Sequence, residues 1–167
     1  CHEYGYDPYE KSIEKAVECY RKGVEEGDEV SICNLGVCFD RGTGVDKNEK
    51  EAASLYSQAA DKGHATAICN LAYCYWNGDG VEVDMKKAVQ LYSQAADKGH
   101  ATAINNLGYC YECGDGVEKD EEKAIDMYKK AADLGIAFAL NSLKRLGIAY
   151  TPCPPKQEQQ QQQEEEE

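Results

Sequence analysis

The residues with the greatest potential for chemistry are histidines and cysteines at repeated spacings. His64 lies five residues before Cys69, and His100 lies five residues before Asn105. The combination of His64, His100 and Cys69 suggests a zinc site. A zinc site needs four converging ligands. The equivalent positions further along the chain hold Ile136 and Asn105 instead, and ligands at one position of successive helices lie about 10 Å apart. We therefore predict no metal site.

Most of the nine cysteines lie inside helical patterns, at spacings that do not suit disulfide bonds. Cys33 and Cys38 are five residues apart, which on a helix places their Cα atoms about 8–9 Å apart on different faces. Cys110 and Cys113 have CxxC spacing, but no βαβ pattern surrounds them. Free thiols are common in protein cores. We predict a reducing compartment and a cytoplasmic location, with the endoplasmic-reticulum lumen and secretion as open alternatives.

The sequence offers no clear catalytic constellation. His2 lies at the terminus, and the other two histidines are copies of one repeated position. Asp79 and Asp115 lie in Gly-rich turns, as solvated loop residues do. Residues 42–44 (Gly-Thr-Gly) are too short for a phosphate-binding loop and lack its Lys-Ser/Thr pair. We predict that the chain is not an enzyme and binds no cofactor. A Cys-dependent hydrolase or a Cys/His metal-binding protein remains the alternative.

The elements that position these residues repeat along the chain. Residues 55–66 and 91–102 share the sequence LYSQAADKGHAT at an offset of 36. Many columns are identical in three successive units, among them Asn34/Asn70/Asn106, Leu35/Leu71/Leu107 and Tyr56/Tyr92/Tyr128. Self-similarity at a fixed period of this length indicates stacked supersecondary units.

Each unit has the pattern of two helices. In the second unit, the first helix has one apolar face with i, i+3, i+4, i+7 spacing: Ile68, Leu71, Ala72 and Tyr75. The second helix should bury Ala88, Leu91, Tyr92, Ala95 and Ala96. Residues 77–80 (Asn-Gly-Asp-Gly) predict the turn between them. Asp84, with counterparts Asn48 and Asp120, should cap the second helix, and Gly99 should end it with a positive φ.

A single helix pair cannot bury its apolar face alone, so neighbouring pairs must stack. Small residues at Gly36, Ala72 and Gly108 allow the helices to approach closely. We predict an all-α fold, a right-handed α-α superhelix of antiparallel helix pairs with 36-residue repeats and an open concave face. The expected boundaries are 1–30 for an N-terminal partial repeat (the second helix of a truncated unit), 31–66, 67–102 and 103–138 for the full repeats, 139–150 for a C-terminal capping helix, and 151–167 for a disordered tail rich in Pro, Gln and Glu.

The chain is acidic, with a formal net charge of −13. The tail holds five Glu and one Lys, so the body keeps about −9. Such a body repels nucleic-acid phosphates and anionic membrane surfaces, and no apolar run approaches the ~20 residues of a membrane helix. We predict a monomer with a protein partner, basic or extended, and no binding to nucleic acid or membrane. Because residue 1 is Cys1 and not Met, a regulatory fragment of a longer multidomain protein is a further alternative.

The motif Asn-Leu-Gly-x-x-aromatic-x-x-Gly-x-Gly-Val, followed by Ala-x-x-x-Tyr-x-x-Ala-Ala-x-x-Gly-x-Ala, resembles the Sel-one-like repeat family, a relative of the tetratricopeptide repeat. It occurs at 34–45 with 52–65, 70–81 with 88–101, and 106–117 with 124–137. Ala72 replaces the usual Gly of the motif. The resemblance covers about residues 12–147 and implies a scaffold or adaptor in protein complexes. Some bacterial members have disulfides between cysteines about eight apart, a spacing that the cysteine pairs here do not match.

The candidate partner-binding residues lie on the first helices: Asn34, Asn70, Asn106, Tyr73, Tyr109 and Trp76. The asparagine column could hydrogen-bond the backbone of a bound peptide, or each asparagine could tie its own helix to a neighbouring loop. The aromatic residues occupy columns that vary between units, which favours exposure and a role as interface anchors. Ordinary packing at the rim is the alternative. The expected mechanism is equilibrium binding on the concave face.

Overall fold

The computed structural model describes the backbone of residues 8–152 and the side chains of residues 12–152. Within this range the chain forms helices and loops and no strand, which confirms the predicted all-α class. The helices are α1 (Pro8–Glu25), α2 (Glu29–Arg41), α3 (Glu49–Asp61), α4 (Ala65–Asn77), α5 (Met85–Asp97), α6 (Ala101–Cys113), α7 (Glu121–Asp133) and α8 (Ala137–Arg145). The predicted disordered tail lies outside the described residues from position 153 onward.

The second helices begin at the caps that the sequence analysis predicts, and the predicted glycines end α4 and α5. The side chains of Asn48, Asp84 and Asp120 each accept a hydrogen bond from the backbone N–H three residues further on, at 3.2, 2.9 and 3.0 Å. These bonds satisfy amide groups that have no partner within the helix. Gly78 and Gly99 both have positive φ, +85° and +79°, as predicted for the ends of their helices.

The histidines have a structural role that the sequence analysis missed. The Nδ1 atoms of His64 and His100 accept the backbone N–H groups three residues on, at 3.2 and 3.3 Å, and so cap the starts of α4 and α6. Asp28 caps α2 in the same way at 2.8 Å. The equivalent residue before α8 is Ile136, and that helix begins without a side-chain cap.

The described chain divides into two compact units, unit 1 up to Leu91 and unit 2 from Tyr92 onward. The core of unit 1 consists of apolar residues of α1 to α4, among them Val17, Ile32, Leu35, Ala52, Leu55, Tyr56 and Leu71, together with Cys33, Cys38 and Cys74. Gly36 lies directly against the ring of Tyr56, where a side chain would meet the ring carbons. The close approach of α2 and α3 therefore depends on a small residue at this position.

Unit 2 packs around the second helix of its repeat and the last helix of the fold. Its core holds Ile104, Ala124, Tyr128, Ala131, Ala132, Ala139 and Leu143. Of the predicted buried face of α5, three residues are fully buried (Ala88, Tyr92 and Ala95), while Leu91 and Ala96 are half-buried. The apolar faces expected from helical periodicity are thus the faces that pack.

The last helix differs in extent from the predicted segment 139–150. It begins at Ala137 and ends at Arg145 because Gly147 takes a positive φ of +76° and turns the chain. The N–H of Ile148 donates to the carbonyl of Leu143 at 2.9 Å, which closes the end of the helix in a Schellman arrangement. Every helix in the described range is too short or too polar to span a bilayer.

Candidate protein-interaction surface

In unit 1 the first helices α2 and α4 meet at a small depression of about 70 Å³. Its lining includes Asn70 and Tyr73 of α4, which are two of the predicted partner-binding residues. Asp40 and Arg41 of α2 contribute one side chain of each charge to the rim. The depression is too small for a metabolite, whose pockets are typically several hundred Å³, but it can receive part of one side chain of a partner.

The predicted aromatic residues differ in their exposure. Tyr73 and Tyr109 are 53% and 47% exposed, among the most exposed large apolar side chains of the described chain. Trp76 is only half-buried on the same helix as Tyr73. The two tyrosines therefore present rings to solvent, and their part in partner binding stays a prediction.

The three asparagines of the repeated column are half-buried. The Oδ1 atom of Asn106 accepts a hydrogen bond from Nδ2 of Asn105 at 3.3 Å. Among the described residues, the side chains of Asn34 and Asn70 have no hydrogen-bond partner. Whether the asparagine column binds a partner or ties its helices to neighbouring loops stays a prediction.

In unit 2 a larger groove of about 640 Å³ lies between α6 and α8, and we call it the α6–α8 groove. It is lined by Thr102, Asn105, Asn106, Ile136, Phe138, Asn141, Ser142 and Arg145. Of the predicted site residues, Asn106 lies in this groove and Tyr109 does not line it. Phe138 is 77% exposed and was missed by the sequence reasoning. The sequence feature that could have revealed Phe138 is that the equivalent residues of the preceding repeats, Thr66 and Thr102, are small and polar.

At the repeat position of Trp76, unit 2 has Glu112, which forms an ion pair with Arg145. Glu112 accepts hydrogen bonds from both terminal nitrogens of the Arg145 guanidinium, at 2.7 and 2.8 Å, and from the hydroxyl of Tyr128 at 2.7 Å. The guanidinium and the tyrosine hydroxyl hold the pKa of Glu112 below its usual range. The expectation that this column is exposed is wrong for Glu112, whose side chain is 13% exposed because it joins α6 to α7 and α8.

The seven described cysteines are free thiols, and five of them are buried. Burial raises the pKa of Cys33 to about 11 and the pKa values of Cys69, Cys74 and Cys110 to about 12. A thiolate is the reactive form of cysteine, so these side chains behave as small apolar core residues. Within residues 12–152, no three His, Cys, Asp or Glu side chains converge as metal ligands would.

These repeated helix pairs, their caps and their small packing residues define a class of helical-repeat scaffold. The family model for the Sel1 repeat matches residues 1–28, 30–64, 65–100 and 101–136. The chain belongs to the Sel1 repeat family. Proteins of this family are generally protein–protein interaction scaffolds and are typically non-catalytic. No curated protein gives a significant match.

Several solved structures are similar to this chain. A protective antigen of uropathogenic Escherichia coli, c5321, displays an SLR fold and has a TM-score of 0.75 at 31% identity over 81% of this chain. A Sel1 repeat protein from Oxalobacter formigenes has a TM-score of 0.75 at 33% identity over 83% of this chain. Helicobacter pylori cysteine rich protein B has a TM-score of 0.63 at 28% identity over 80% of this chain.

The present chain spans 30%, 58% and 96% of the lengths of these three proteins, in that order. The similarity confirms the predicted α-α superhelical repeat class.

Proposed function

We propose that the chain is a protein-interaction scaffold that binds a segment of a partner protein on its first-helix face. Each unit has a first-helix face of its own, formed by α2 and α4 in unit 1 and by α6 and α8 in unit 2, and the repeat architecture predicts a concave binding face. The observation that carries the proposal is a pair of groups that line one depression: the half-buried amide of Asn70 and the exposed ring of Tyr73. The half-buried amide of Asn34 lies on α2 of the same unit.

The chemistry of these groups suits a polypeptide. A carboxamide donates and accepts hydrogen bonds at once, as does a peptide bond, so an asparagine can pair with the backbone of an extended segment. An exposed tyrosine offers a large contact area with little loss of conformational entropy on binding. The net charge of −13 favours a basic partner and accelerates its encounter at low ionic strength.

The proposed mechanism is equilibrium binding without bond making or breaking. Deeply buried thiols such as Cys69 and Cys110, with pKa values of about 12, are unsuited to nucleophilic attack. The chain is further proposed to act as a monomer in a reducing compartment without binding nucleic acid. The free thiols of the described residues support the reducing compartment, and the net charge of −13 opposes binding to nucleic-acid phosphates.

The test compares capture of partners by the wild-type chain and by the Tyr73→Ala/Tyr109→Ala variant, with quantitative mass spectrometry. The matched control is Val83→Ala, which removes a residue of similar exposure, 56%, in the loop between α4 and α5. Partners captured by wild type and by Val83→Ala should be lost from the tyrosine variant. The affinity of a purified partner should fall at least tenfold, with unchanged circular dichroism because both tyrosines are exposed.

Equal affinity of the tyrosine variant and wild type would refute the assignment of this face. An equal loss in the Val83→Ala control would point to unspecific capture by apolar surface.

A further inference from the structure

The loop between α7 and α8 departs from the chain's own repeat. Residues 62–66 and 98–102 both have the sequence Lys-Gly-His-Ala-Thr, whereas residues 134–138 have Leu-Gly-Ile-Ala-Phe. All three changes replace a polar side chain by an apolar one. Leu134 and Phe138 nevertheless remain 53% and 77% exposed. The last loop therefore presents large apolar side chains to water where the two preceding loops present polar ones.

Not all of these changes serve the stability of the free chain: Ile136 packs against the core of unit 2, but Leu134 and Phe138 remain exposed. His64 and His100 cap their helices through Nδ1, while Ile136 leaves α8 without a side-chain cap. An uncapped helix start and an exposed phenylalanine are both unfavourable in water. Exposed apolar side chains are typical of interaction sites where they lie close together, and Leu134 and Phe138 are exposed within one short loop.

The α6–α8 groove combines this apolar loop with uncharged polar side chains. Ile136 and Phe138 contribute apolar surface, and Asn105, Asn106 and Asn141 contribute amides. The one charged side chain of the described lining is Arg145, whose guanidinium is held by both carboxylate oxygens of Glu112. The groove is thus effectively neutral in a strongly acidic chain. Its volume, about 640 Å³, suits a short peptide segment.

A buried acceptor without a partner adds a second, independent sign of a ligand. The Oδ1 atom of Asn105 is buried and accepts no hydrogen bond, although Nδ2 of the same amide donates to Asn106. Buried polar atoms are nearly always paired, because an unpaired one loses its hydration without compensation. The same repeat position holds Cys33 and Cys69, both buried thiols. The asparagine is therefore a feature of unit 2, as is the apolar loop.

We infer that the α6–α8 groove is a docking site for a short, uncharged peptide segment of a partner protein. One large apolar side chain of the segment packs against Ile136 and Phe138. A backbone N–H donates to Asn105 Oδ1 once that amide turns towards the groove, and Asn141 pairs with a neighbouring peptide group. The inference rests on the proposed scaffold function and deepens it, since it assigns this groove a neutral apolar segment in place of the basic one that the net charge favours.

The test uses seven-residue probe peptides, acetylated and amidated, with the sequence Gly-Ser-Gly-X-Gly-Ser-Gly, in which X is Leu, Phe, Lys or Glu. Nuclear magnetic resonance of the full ¹⁵N-labelled chain follows the side-chain amide signals of Asn105 and Asn141 during titration. The Leu and Phe peptides should shift both signals in a saturable manner and bind at least tenfold more tightly than the Lys and Glu peptides. Equal shifts with all four peptides, or no shift in the groove, would overturn the inference.

The sharpest variant is Leu134→Lys/Phe138→Thr, which gives the last loop the residues that the chain itself uses at 62 and 66. Both side chains are exposed, so the variant should fold as stably as wild type and lose probe binding at least tenfold. The matched control, Lys62→Leu/Thr66→Phe, makes the reverse change in unit 1 and should retain wild-type binding in the groove. Unchanged probe binding in the first variant would refute the site.

Light scattering of the same variants separates a second copy of the chain from a partner segment. If wild type is dimeric and Leu134→Lys/Phe138→Thr is monomeric, the loop is an interface between copies and the inference is overturned. Because the probes need no natural partner, their failure is distinguishable from failure of the tyrosine variant to lose partners, which concerns the proposed function itself.

Discussion

The contact between Gly36 and Tyr56 allows a stability prediction from atomic distances. In the Gly36→Ala variant the new Cβ would lie 2.8 Å from Cε1 and 2.9 Å from Cδ1 of the tyrosine ring. Carbon atoms attract each other at about 3.5–4.0 Å and repel strongly below that. Tyr56 is fully buried, so its ring cannot yield towards solvent.

Two opposing terms determine the free energy of unfolding of this variant. Alanine is favoured over glycine in a helix by about 0.5–1 kcal/mol. Overpacking of a rigid core costs about 1–3 kcal/mol. The packing term is the larger one at 2.8 Å, and we expect Gly36→Ala to destabilise the chain by about 1–2 kcal/mol.

Gly108→Ala is the matched comparison, because it makes the same change at the equivalent position of unit 2. There the new Cβ would lie 3.1 Å from Met127 Cβ and from the ring of Tyr128, so a shift of a few tenths of an ångström relieves the contact. The helix preference then offsets the strain, and we expect a change within about 1 kcal/mol of zero. The natural alanine at the third equivalent position, Ala72, is fully buried, so an alanine can be accommodated there.

Urea unfolding followed by circular dichroism at 222 nm measures both variants, with the slope compared between them to detect loss of two-state behaviour. A Gly36→Ala variant as stable as wild type would refute the reasoning. So would a larger loss in Gly108→Ala than in Gly36→Ala, since the order of the two distances would then not determine the cost.

Two further predictions concern ionisable groups. The folded-state pKa of Glu112 lies below its unfolded value, so the stabilisation of the fold by the ionised Glu112 is fully present above the unfolded pKa and is lost as the pH falls through the folded pKa. The melting temperatures of wild type and Glu112→Gln should therefore converge between pH 7 and pH 3. A constant difference between the two melting temperatures would contradict the linkage. Thiol labelling with peptide mapping should modify the exposed Cys19 and Cys113 in the native chain, but the buried Cys33 and Cys110 only after unfolding. A buried cysteine that reacts rapidly in the native chain would instead favour a thiol-dependent enzyme.

The features that the sequence analysis predicted well depend on short stretches of chain. The caps at Asn48, Asp84 and Asp120 and the positive φ of Gly78 arise within three or four residues, and helical periodicity is enough to assign the buried faces. The caps formed by histidine were missed because histidine is an uncommon cap and its pairing with cysteine suggests metal ligation. The structure instead directs Nδ1 of each histidine to the backbone.

The candidate surface could be predicted only in part. Internal repetition identified the columns of Asn70 and Tyr73, and both residues line one depression. Repetition could not reveal the α6–α8 groove, because Asn105 and Phe138 depart from the repeat. These two residues line one groove only because α8 lies beside α6 in the folded chain. Glu112 shows the same limit, since a variable column can hold either an exposed ring or a buried ion pair.

The amino-acid sequence by itself determined the class of this protein: helical periodicity, local caps and a 36-residue period require paired helices that stack to bury their apolar faces. These features depend on interactions between near neighbours in the chain, so they can be predicted from the sequence alone. The tertiary structure alone decided which side chains remain unpaired or exposed on the first helices. That outcome depends on contacts between residues far apart in the chain, such as Glu112 with Arg145. Sequence spacing does not predict such contacts.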